Sequence, residues 1–180
     1  MPRYVCLIRG INVGGHKLVK MAELRACLTD LGLEGVRTFL QSGNVVFDSA
    51  EGPPRELETL IEREMAGKCG VEAHCIVRTA KDFVAMAEAN PFADEAEHDP
   101  GHVLLMIGHA LPAKEQIAEV QARYPGTERV RRVGEALYVH CPDGIGVSRL
   151  LSASAWSKLT SSLTARNWNT VRTISNALAS

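Results

Sequence analysis

Acidic side chains are missing from both ends of this 180-residue chain. Residues 1–22 carry Arg3, Arg9, Lys17 and Lys20 with no Asp or Glu, and residues 144–180 carry Arg149, Lys158, Arg166 and Arg172, again with none. All 21 acids lie between Glu23 and Asp143, so a net charge of −1 conceals a middle at −9 and two ends at +4 each. Aromatic residues are scarce at 5%, which leaves few base-stacking platforms for a nucleic-acid binder. A sequence pI near 6.6 points the same way, because nucleic-acid coats are usually strongly basic. No stretch approaches the roughly 20 apolar residues that cross a bilayer. The run Tyr4–Ile8 is broken by Arg9 and lacks the length and small-residue cleavage site of a secretory signal. The five cysteines (Cys6, Cys27, Cys69, Cys75, Cys141) are odd in number and include no CxxC pair, so reduced thiols in a cytoplasmic protein are expected. The six histidines form no HExxH, and nothing calls for a metal or other cofactor. No nucleophile–base pair can be read, so the catalytic residues, if any, are unassigned.

The periodicities suggest an α+β chain in two related halves. Tyr4–Ile8 reads as a buried strand, and Met21, Leu24, Leu28 and Leu31 recur at helical spacing up to Gly32. Strands over Val36–Leu40 and Val45–Phe47 flank a turn at Gln41-Ser42-Gly43-Asn44. Pro53-Pro54 open a second helix, and Glu72–Val77 is a fourth strand. The order β-α-β-β-α-β is that of the split βαβ, or ferredoxin-like, unit. It predicts a ferredoxin-like subdomain over 1–78, a linking helix and acidic loop over 79–101, and a second α+β subdomain over 102–180. That second half repeats strand, helix and hairpin (Arg129–Val133, Ala136–Cys141), with a tail of helices in place of the second helix and last strand. Runs such as Val5-Cys6-Leu7-Ile8 and Val103–Ile107 do not alternate. Both faces of each sheet should therefore be covered, by the other half or by a second subunit, and a homodimer is one form that cover can take.

Three polar segments stand out as candidate site. Arg9-Gly10-Ile11-Asn12-Val13-Gly14-Gly15-His16-Lys17 connects a strand to a helix, the place where backbone N–H groups and a helix start can hold an anion. It is not a Walker loop, because His16 stands where the lysine belongs, and it lacks the dinucleotide glycine spacing. Ser42, Gly43 and Asn44 taken alone are what a tight turn requires. In a ferredoxin-like sheet, however, the loop after strand one and the turn between strands two and three share an edge. The third segment, Thr164 to Thr170, offers Arg166, Asn167 and Thr170 before a short amphipathic helix; these residues suit either an anion or a helix cap. Ser148 is read as a cap, and Glu62 and Glu64 as a solvated helix face.

Read together, Leu7-Ile8-Arg9-Gly10-Ile11-Asn12-Val13-Gly14-Gly15, Thr38 to Phe47 and Thr164 to Val171 resemble a widespread bacterial family of uncharacterised small proteins, a domain of unknown function. The resemblance implies a two-part α+β protein whose first part is ferredoxin-like, and it brings no activity with it. It favours one shared site over three unrelated turns. The expectation is a composite site for a small phosphorylated or carboxylated ligand, comprising Arg9, Asn12, Gly14, Gly15, His16, Lys17, Ser42, Gly43, Asn44, Arg166, Asn167 and Thr170. An enzyme acting on such a ligand, a single-stranded nucleic-acid binder and a ligand-free homodimeric scaffold are the alternatives.

Overall fold

A computed structural model describes residues 1–12, 18–50 and 52–179. The chain falls into two compact units, Met1–Ala85 with Thr173–Ser180, and Met86–Arg172.

The first unit contains β1 (Arg3–Arg9), α1 (Met21–Asp30), β2 (Glu34–Phe39), β3 (Asn44–Asp48), α2 (Pro54–Glu64) and β4 (His74–Thr79), with a π-helical turn over Met65–Cys69. The sheet order is β2-β3-β1-β4, every neighbour antiparallel, as the β-α-β-β-α-β reading requires. On one face Cys6, Ile8, Val45, Phe47 and Val77 pack with Leu24 and Leu28 of α1 and with Leu57 and Ile61 of α2. Val5, Leu7, Val46 and Ile76 point the other way and are buried too, so both faces are covered as the unbroken apolar runs foretell. Two devices close this unit. Gly32, at φ +89, ends α1, and Leu33 donates to the Leu28 carbonyl at 3.3 Å. Glu58 and Glu62 of α2 accept from the Val77 and Cys75 amides of edge strand β4 at 2.8 and 2.7 Å. Glu62 is thus an edge cover rather than part of a solvated face, because an outer strand leaves N–H groups that need acceptors.

The second unit follows the same path. After α3 (Ala80–Glu88), which spans the division between the units, come α4 (Ala93–His98), β5 (Val103–Gly108), α5 (Lys114–Arg123), β6 (Arg129–Val133) and β7 (Ala136–His140). The short helices α6 (Arg149–Ser152) and α7 (Ser154–Leu159) lead to β8 (Leu163–Asn167) and then α8 (Trp168–Ala179), whose last residues count with the first unit. The sheet order is β6-β7-β5-β8, the first unit's order element for element. The expected tail without a last strand is corrected here: Leu163–Asn167 is that strand, paired antiparallel to β5 from Leu104↔Asn167 to Gly108↔Leu163. The acidic loop is corrected as well, since α4 lies inside it. In this unit Leu137, Val139, Ile117, Val120, Leu150 and Trp156 share one core. No helix among the described residues is long and apolar enough to cross a membrane.

Candidate functional site

The edge where β1 ends and β3 begins carries the first two polar segments. Ile8 donates to the Gly43 carbonyl at 2.7 Å, and a Cβ on Gly43 would lie 2.9 Å from Ile8 Cβ and 3.0 Å from the Ile8 carbonyl oxygen. With φ at +76, this position needs glycine for both its angle and its space. The turn is Leu40 to Gly43, one residue earlier than the sequence suggests, and Asn44 opens β3.

Asn12 ties that turn to the loop. Its Nδ2 donates to the carbonyls of Val19 and Gln41, both at 2.9 Å, while Oδ1 accepts from the Val19 amide at 2.8 Å. One side chain therefore closes the loop on itself and fastens it to a turn 29 residues away. Asn12 sits at φ 54, a left-handed conformation that asparagine tolerates better than most residues. Both amide hydrogens are used in this clasp, so its part at the edge is to position the backbone. Asn44 is fully buried, and its Nδ2 donates to the Phe39 carbonyl and to Ser42 Oγ, each at 2.9 Å.

Arg9, one residue beyond the Ile8–Gly43 contact, is exposed and has no ion-pair or hydrogen-bond partner for its guanidinium among the described residues. The other cations near β1 and β2 are spent on the fold. Arg3 holds Asp48 at 2.9 Å, Arg37 donates to the Ala177 carbonyl at 2.6 Å, and Arg25 to Thr38 Oγ1 at 2.6 Å. Gly14, Gly15, His16 and Lys17 lie outside the described residues.

The third segment belongs to the second unit. Asn167 Oδ1 accepts from the Thr170 amide at 3.1 Å and from Thr170 Oγ1 at 3.0 Å, which caps the start of α8. Arg166 Nη1 donates to Thr164 Oγ1 and to the Ala165 carbonyl, both at 2.8 Å. Trp168 is buried. Ser148 caps α6 by accepting from the Leu151 amide, as read from sequence, and also donates to Glu128. These two residues line a cavity of about 170 Å³ with Asp143 and Arg149, where two carboxylates oppose an anion.

Thiol chemistry is disfavoured at three of the five cysteines. Burial pushes Cys27 up to about 12 and Cys141 up to about 11, and the contact with Cys6 raises Cys75 ahead of its burial. All three stay protonated near neutral pH, and the thiolate is the nucleophile. Burial likewise raises Tyr138 to about 12, and its hydroxyl donates to the Met86 carbonyl at 2.6 Å.

Two residues on the first edge escape sequence reasoning. Leu18 and Leu40 are 72% and 57% exposed, and Leu40 is at φ 57. An apolar Leu18 between Lys17 and Lys20 is a signal in retrospect, whereas the backbone angle of Leu40 leaves none.

Residues 1–138 match the family described as protein of unknown function (DUF1697). The chain belongs to this family. The match contains the loop and turn segments of the first unit and stops short of Thr164 to Val171. Among solved structures the chain is similar to a conserved bacterial protein, SP0830, from Streptococcus pneumoniae. The two share 27% identity at a TM-score of 0.75, over 98% of each chain. No curated protein matches. DUF1697 membership supplies the fold's pedigree and no reaction.

Proposed function

We propose that this DUF1697 protein binds a small anionic ligand, phosphorylated or carboxylated, at the edge of its first sheet. The observation that carries the reading is the Asn12 clasp, which fixes the loop to the turn while Arg9 stands exposed beside it. A backbone fastened in advance at Asn12, Val19 and Gln41 spares a ligand part of the ordering cost that otherwise weakens binding. Residues 1–22 themselves bring four cations and no acid, a bias that favours an anionic partner. Arg9 supplies the charge and Ser42 and the Gly43 backbone the polar contacts, with Gly14, Gly15, His16 and Lys17 contributing from the rest of the loop. Asn12 and Asn44 orient that backbone instead of touching the ligand, and Arg166, Asn167 and Thr170 are left to the start of α8.

The test is thermal unfolding against inorganic phosphate, nucleotides, sugar phosphates and short carboxylates. A ligand at one hundred times its dissociation constant stabilises by about 2.7 kcal/mol, which moves the midpoint of a 180-residue chain by several degrees. Arg9→Ala should keep the unliganded midpoint and lose the shift. A shift that survives Arg9→Ala unchanged, or a panel that moves nothing, counts against the reading.

A further inference from the structure

We infer that the anion bound at this edge carries an apolar tail, seated on Leu18 and Leu40; the inference rests on the anion-site reading above. Of the five exposed large apolar side chains among the described residues, these two lie on the edge that Asn12 fastens together. A single nitrogen, Asn12 Nδ2, binds both the Val19 and the Gln41 carbonyls. The residue preceding each is a leucine, so Leu18 and Leu40 each lie one residue from the clasp. Leu18 is the more exposed at 72%.

Leu40 is the sharper observation. Only Asn12 and Leu40 hold positive φ without being glycine among the described residues, and this conformation is sterically disfavoured for a residue with a Cβ. Asn12 is compensated by its three hydrogen bonds. Leu40 is 57% exposed, so burial does not compensate it. Backbone strain at a site is a reason to look for function there, and an exposed leucine offers one chemistry, apolar contact. The second unit differs in degree: Gly134 takes the positive φ at its matching turn, Val133 beside it is only 38% exposed, and Leu111, in the matching strand-to-helix connection, packs on the core.

The occupant follows from size and charge. Two leucines are far too small a patch for a protein interface, which buries about 800 Å² per partner. On the same edge as Arg9, which follows the Ile8–Gly43 contact, they suit a small molecule with an anionic head and a short alkyl or aromatic tail. Each methylene buried against them should tighten binding about fourfold.

The experiment titrates the full chain with inorganic phosphate, ethyl phosphate, butyl phosphate, hexyl phosphate and hexanol. Affinity is expected to rise along the alkyl phosphates, with hexanol failing to bind. Leu18→Ser and Leu40→Asn should flatten the rise and leave inorganic phosphate binding as it was. Asparagine accepts the left-handed backbone, so Leu40→Asn should unfold no earlier than the parent, and loss of fold does not mimic the result. Equal affinity for phosphate and hexyl phosphate overturns the tail and leaves the anion site standing. Hexanol binding as tightly as hexyl phosphate, or no alkyl phosphate binding at all, overturns both.

Discussion

The two units trace one topology with different edges, and the second serves as an internal control for the first. Both sheets run β2-β3-β1-β4 or its counterpart β6-β7-β5-β8. In the second unit the first strand reaches its helix through the short connection 109–113, and its hairpin turns through Gly134 and Glu135. In the first unit the same connection runs over 10–20 and the same turn over Leu40 to Gly43. A connection of this kind needs only a few residues, so the fold does not require the longer loop. What has been added is a side-chain clasp, two positive-φ residues that are not glycine, and two exposed leucines. The second unit spends its polar segment otherwise: Asn167 and Thr170 start a helix.

The matched turn glycines should break this comparison most visibly. Gly43→Ala forces a Cβ against the Ile8 carbonyl at 3.0 Å and Ile8 Cβ at 2.9 Å. Left-handed strain of about 1 kcal/mol plus about 2 kcal/mol of overpacking predicts a loss near 3 kcal/mol in denaturant unfolding. Gly134→Ala meets nothing within 4 Å and should cost only the strain, about 1 kcal/mol. Equal losses would mean that the first turn is not braced by β1.

The two asparagines come next. Asn12→Ala removes three hydrogen bonds at about 1 kcal/mol each, for a loss of about 2–3 kcal/mol. It should also raise amide exchange at Val19. Asn12→Asp keeps the acceptor but turns a carboxylate oxygen toward the Val19 and Gln41 carbonyls, so it should cost at least as much as Asn12→Ala. Asn167→Ala removes a helix cap and should cost about 1 kcal/mol. Asn12→Ala costing no more than Asn167→Ala would reduce the clasp to an ordinary surface contact.

The sequence carries these features unevenly. Gly43 is readable because a glycine between two β-branched and aromatic runs has local causes. The clasp is not, because its partners are 7 and 29 residues away and nothing in asparagine announces a long-range acceptor. β8 is hidden for another reason: Leu163–Asn167 is a five-residue edge strand with only its first two residues buried, too short to show a period of two. α4 is masked by its six-residue length and by Pro91 and Pro100 on either side. The repeat itself was visible in the order of elements, since order survives where residue identity does not.

The smallest expected effect concerns pH and separates the units at one matching position. Asp48 of β3 pairs across the sheet with Arg3 and with Glu34; His140 of β7 stands at the same place, opposite Val103 and Arg129. His140 is buried, its ring tilted 39° against Phe92 at 5.7 Å between centroids, and takes an Arg129 N–H on Nδ1 at 2.9 Å, while Arg129 also holds Glu95. Burial first, then the charge of Arg129 and of His102, lowers its pKa, against the opposing pull of Glu95 and Asp99. The unfolded chain, with an ordinary imidazole near 6.5, therefore binds the proton more readily than the folded one. Stability is fully present above about pH 6.5 and declines as pH falls below it, because protons accumulate on the unfolded state. Glu58, raised by burial, works in the opposite sense nearer the carboxyl range. It loses stability as pH rises, so the two contributions differ in sign. Denaturant midpoints between pH 7.5 and 5.5 should fall for the parent and flatten for His140→Gln. An unchanged slope in that variant would assign the acid sensitivity to groups other than His140 and remove this difference between the two units.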